Sequence, residues 1–84
     1  MKFCLITFRS VTPAQRSEGV LQRSGIPCTL RRTPRWMEEQ GCGYSVRVSL
    51  QDAVRAGQIL RREQMPFRKI YLIKDNGSAE ELAI

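Results

Sequence analysis

The chain contains no histidine. That absence removes the imidazole base on which Cys–His and Ser–His nucleophilic pairs depend. A zinc site would have to be completed by carboxylates, and the sequence offers no compact cluster of ligands. Cysteine is scarce and odd in number. Cys4, Cys28 and Cys42 neither close a disulfide framework nor form a Cys-x-x-Cys pair. No apolar run approaches the roughly twenty residues needed to cross a bilayer. The opening apolar stretch, residues 3–6, is too short for a secretory signal before the chain runs into Thr7-Phe8-Arg9. Only six aromatic residues are present, and no strand carries the aromatic-rich run of sheets that stack RNA bases. Together these absences point to a cytoplasmic chain without metal, cofactor or membrane span. Any chemistry must come from thiol, carboxylate, amine or backbone.

What is present is enough for one small folded domain. Eighty-four residues with a 42% apolar share can bury a limited core, and that share is too high for a disordered chain. The formal net charge is +6, and 11 of the 14 basic residues are arginine. Such a charge suits nucleic acid, an acidic partner or a small anion. The arginines are spread from Arg9 to Arg68 rather than gathered in a stripe, which reads first as a solvated surface.

Residues 2–8 are short, aromatic and β-branched, so they read as a strand. Phe3 and Leu5 fall on one face, Cys4, Ile6 and Phe8 on the other, which suits a central strand or a face used for pairing with a second copy. Thr12-Pro13-Ala14-Gln15 reads as a capped helix start, with Thr12 as the cap. Ala14, Ser17, Val20, Leu21 and Ser24 share a face, and Gly25 ends the helix. Residues 28–32 read as an edge strand guarded by arginines. Residues 44–49 alternate, with Tyr44, Val46 and Val48 inward and Ser45, Arg47 and Ser49 outward. Ser49 to Asp52 repeats the capping pattern, and Leu50, Ala53, Val54, Gly57 and Leu60 mark the buried face of a second helix. Residues 67–74 form a fourth strand and Asp75-Asn76-Gly77-Ser78 a turn.

This order, βαββαβ, predicts an α+β ferredoxin-like sandwich. The antiparallel sheet should run 4-1-3-2 with both helices on one face. The domain should occupy residues 1–74, leaving 75–84 as a short tail outside the regular structure.

Gly41-Cys42-Gly43 stands out because glycines on both sides let backbone amides and a partner's atoms approach the sulfur. The expected topology brings the start of the third strand beside the end of the first, close to Arg9, Ser10 and Thr12. Amides at that helix start, together with Arg9 and Arg35, would favour a thiolate. Cys42 is therefore the candidate reactive group, with Gly41, Gly43, Arg35, Arg9, Ser10 and Thr12 around it. Cys4 and Cys28 read as packing residues.

Several segments together resemble a known family. They are Leu5-Ile6-Thr7-Phe8, Ser17-Glu18, Gly25-Ile26-Pro27, Thr33-Pro34-Arg35 and, most distinctively, Gly41-Cys42-Gly43 following Pro34-Arg35 after a short gap. The resemblance is to small selenium or sulfur carrier proteins, formerly a domain of unknown function, and it covers about residues 2–73. It implies that Cys42 holds a persulfide or perselenide. It also implies a donor protein of the cysteine desulfurase kind and an acceptor protein, and a carrier rather than a turnover enzyme. Two other readings stay open beside it. One is a regulatory or interaction domain that dimerises and binds a small anion at the helix start. The other is an RNA-binding module, ranked last for want of aromatic residues.

Overall fold

The computed structural model describes residues 2–33 and 43–82. Seven elements follow one another along the chain: β1 (Phe3–Phe8), α1 (Val11–Arg23), β2 (Thr29–Arg32), β3 (Tyr44–Ser49), α2 (Leu50–Arg62), β4 (Ile70–Ile73) and β5 (Ala79–Leu82). The five strands form one antiparallel sheet in the order β2-β3-β1-β4-β5. The architecture is α+β, with two helices and five strands. The four expected strands keep the neighbours anticipated for them. The correction to the expected order 4-1-3-2 is a fifth strand, built from residues assigned to the tail and added beside β4.

That addition has a physical basis. Gly77, at φ 86°, and the Asn76 side chain, whose Oδ1 accepts the Ser78 amide at 3.0 Å, turn the chain back on itself. The returning strand is acidic where its neighbour's flanks are basic. Lys74 Nζ lies 2.9 Å from Glu80 and Lys69 Nζ 3.4 Å from Glu81.

Strand parity sorts the side chains into two sets. Cys4, Ile6, Phe8, Val46, Val48 and Ile70 share one face and form a single cluster with Ala14 and Leu21 of α1 and Ala53, Ala56, Ile59 and Leu60 of α2. Both helices therefore cover the same face of the sheet. β1 lies between β3 and β4, the central position that its two apolar faces suggested.

The helices begin and end for identifiable reasons. Helix α1 is capped at Ser10 (φ −143°, ψ 170°), not at Thr12, and makes no side-chain capping hydrogen bond among the described residues. Starting at Val11 still leaves Pro13 in the first turn, where a missing N–H is tolerated. At the other end, the Gly25 amide reaches Gln22 O at 3.1 Å and the Ile26 amide Leu21 O at 2.9 Å, with Gly25 at φ 84°. This is the Schellman arrangement that glycine favours. Helix α2 closes in the same way on Gln64 at φ 58°.

Two further expectations need correction. The buried stripe of α2 is Ala53, Ala56, Gly57, Ile59 and Leu60, whereas Leu50 and Val54 are exposed. Positions 53, 56, 57 and 60 give the regular i, i+3, i+4, i+7 set, and their small residues let the helix approach the sheet. Strand β4 is also shorter than residues 67–74. Before Ile70 the chain pairs irregularly with Thr7: the Arg68 amide donates to Thr7 O at 2.7 Å, and the Thr7 amide to Lys69 O at 2.8 Å.

Candidate functional site at the β1–β3 rim

In the antiparallel pairing of β1 with β3, Phe8 faces Tyr44, so the last residue of β1 meets the first of β3. On the other side of β3, Arg32 faces Tyr44, and the Thr33 amide donates to Gly43 O at 3.0 Å, extending that pairing one step beyond the strands. The rim thus gathers Gly43, Thr33 and Arg32 beside the exposed Arg9 and the cap residue Ser10. Thr12, also exposed, lies in the first turn of α1. Gly43 is buried, and Thr33, 7% exposed, holds a hydroxyl with no hydrogen-bond partner among the described residues. Gly41, Cys42 and Arg35, the remaining expected site residues, lie outside the described residues.

Among the described residues, the electrostatic character of this end is positive. Arg9, Arg31 and Arg32 are exposed there, and the helix start contributes the partial positive charge of its amides. No acidic side chain occupies the first turn of α1 to offset it.

The other two thiols are occupied by the fold. Cys4 is fully buried in the helix-covered core, and burial pushes its pKa up. Cys28 is half-buried, and its thiol donates to Glu18 O at 3.5 Å. Burial and, secondarily, the Glu18 charge raise its pKa as well. The Glu18 carboxylate is itself held by the Leu30 amide at 2.7 Å, so this unfavourable neighbour is fixed in place. Both sulfurs are kept in the thiol form, which is a poor nucleophile.

Across residues 3–72 the sequence matches the family model described as "Putative Se/S carrier protein-like". The chain belongs to that family. The carrier-like match spans β1 through most of β4 and stops short of β5. No curated protein matches the chain. Among the described residues, no helix is long and apolar enough to cross a membrane.

One feature of this carrier-like domain was hidden from sequence reasoning. Ser45, assigned outward by strand alternation, has no exposed surface and no hydrogen-bond partner for its hydroxyl among the described residues. The alternation places it correctly on the face away from the helices but says nothing of what lies over it. The only sequence signal was a serine flanked at i−14 and i+2 by Arg31 and Arg47, which register alone brings together.

Proposed function

We propose that this protein carries sulfur or selenium on Cys42 and relays it between partner proteins. The observation that supports the reading is the match of residues 3–72 to a family of selenium/sulfur carrier-like proteins. The behaviour of the other cysteines agrees with it. Burial raises the pKa of Cys4 and Cys28 and favours their thiol forms, which supports Cys42 as the proposed carrier.

The chemistry is a redox-neutral transfer. The Cys42 thiolate attacks the outer sulfur of a donor persulfide, R–S–SH. A bond forms between Sγ and that sulfur, the donor's S–S bond breaks, and the donor leaves as the thiolate R–S⁻. Cys42–S–SH then gives its outer sulfur to an acceptor thiolate in the same manner, which regenerates the Cys42 thiolate. With R–S–SeH as donor the product is the perselenide. Such exchange needs a thiolate with access and a leaving group stabilised as an anion. The positive rim formed by Arg9, Arg32 and the start of α1 suits both the thiolate and the anionic cargo.

The test is mass spectrometry of the protein after incubation with a cysteine desulfurase and cysteine, or with a selenium donor. One added chalcogen atom on the Cys42 peptide, absent in Cys42→Ala, is the expected result. A Cys42→Ala variant that loads as much as the parent would end the proposal.

A further inference from the structure

A cavity of about 150 Å³ opens on the face of the sheet away from the helices, lined among the described residues by Phe3, Leu5, Arg31, Arg32, Ser45 and Arg47. We propose that it binds a small organic anion, a carboxylate carried on a compact apolar or aromatic body. The inference stands independently of chemistry at Cys42.

The first support is Ser45. Ser45 lines this cavity, and its hydroxyl is fully buried with no partner among the described residues, a condition that native proteins seldom leave without cause. The neighbouring position shows that the sheet can satisfy such a group. Thr7 faces Ser45 across the β1–β3 pairing and is 6% exposed. Its hydroxyl donates to Lys69 O at 3.2 Å and accepts the Lys69 amide at 3.1 Å. In the same row, one hydroxyl is saturated and the other is idle. With the Ser45 side chain rotated toward the cavity, a carboxylate there would accept its proton and remove the desolvation penalty of the idle group.

The second support is the pair of guanidinium groups. Register places Arg31 opposite Ser45, and Arg47 follows two residues along β3 on the same face. The Arg47 guanidinium stacks over the Phe3 ring, 4.0 Å from its centroid, so its fork is oriented before any ligand arrives. No carboxylate among the described residues pairs with Arg31 or Arg47. Two cationic forks and one donor hydroxyl on residues lining a small opening suit a carboxylate.

The third support is the apolar part of the wall. Leu5, 4% exposed, and the Phe3 ring offer an apolar surface that an inorganic oxyanion could not use. A mostly apolar recess with a few convergent polar groups is the usual form of a small-ligand site.

Titration of the amide-labelled protein with sodium benzoate, followed by NMR, tests the proposal. Saturable shifts should centre on residues 3–5, 29–32 and 45–47, with methyl benzoate and inorganic phosphate both at least about tenfold weaker. Ser45→Ala should stay folded and bind about tenfold more weakly, as should Arg47→Gln, while Cys42→Ser should bind benzoate as the parent does. A short peptide ending in phenylalanine, as free acid and as amide, separates two sources of the same chemistry. Tighter binding of the free acid than of benzoate assigns the site to a polypeptide carboxyl terminus. Binding of benzoate alone assigns it to a free metabolite. Absence of saturation by about 10 mM benzoate, equal binding of phosphate, or indifference to Ser45→Ala and Arg47→Gln would each overturn the proposal.

Discussion

The two faces of the sheet bury similar amounts of β1 but different chemistry. Toward the helices, Cys4, Ile6, Phe8, Val46 and Val48 are buried against the apolar sides of α1 and α2. Away from them, Leu5, Thr7, Ser45 and Ile73 are also buried, at 9% exposure or less, yet two of these four carry hydroxyls. Arginines border that second set, and a cavity opens within it. Depth of burial therefore fails to separate packing from recognition in this domain. The distinction lies in which charges surround the buried polar atoms and in whether a cavity opens beside them.

Removing bulk from each face gives the largest expected effects. Phe8→Ala should cost about 3–5 kcal/mol, because the ring is fully enclosed and the helices cannot collapse into the space. Leu5→Ala should cost about 2 kcal/mol, the low end for leucine, since a cavity already adjoins it. Urea unfolding of both variants checks this. Equal losses would mean that the second face is a second core rather than a recess.

A smaller effect separates two idle hydroxyls. Ser17 on the inner side of α1 is fully buried without a partner among the described residues, as Ser45 is. Each serine changed to alanine should raise stability by up to about 1 kcal/mol in ligand-free buffer, because a desolvated donor disappears. With benzoate present, Ser45→Ala should lose that advantage and Ser17→Ala should keep it. Thermal denaturation with and without benzoate measures the contrast.

The smallest effect concerns pH. Burial raises the Cys4 pKa in the folded protein, so the folded state resists forming that thiolate. Its contribution to stability is complete below the ordinary thiol pKa and is lost as pH rises from there through the raised folded value. Cys4→Val should flatten the alkaline limb of the stability profile and leave neutral stability nearly unchanged. An alkaline limb identical in both proteins would show that other groups govern it.

Much of the frame was legible from residue order. The alternation in residues 44–49 announced β3 with its boundaries, and Gly25 marked the close of α1 because only a left-handed backbone allows that exit. The neighbour relations of the first four strands followed from crossover rules. What stayed hidden depends on contacts between distant segments. Strand β5 has Glu80 and Glu81 at its centre, so its own sequence shows no alternation, and its pairing draws on Lys69 and Lys74 across the turn. Val54 and Leu50 looked like core because apolar residues fit more than one helical stripe, and the sheet chose the stripe with the smaller residues. For the site, the approach of the β3 start to Arg9 and Ser10 could be foreseen from topology. The idle Ser45 hydroxyl could not, since alternation assigns a side chain to a face and leaves its cover undetermined.

The short acidic strand at the end of the sheet has a consequence for colloidal behaviour. Ile70-Tyr71-Leu72-Ile73 is a β-branched and aromatic run, and without Ala79–Leu82 alongside, its outer amides and carbonyls would face solvent unpaired. Bare edges of that composition recruit further chains and seed fibrils. By laying Ala79–Leu82 along that border, the protein pairs those outer amides and carbonyls, and a truncation after Ile73 should precipitate where the longer chain stays dissolved.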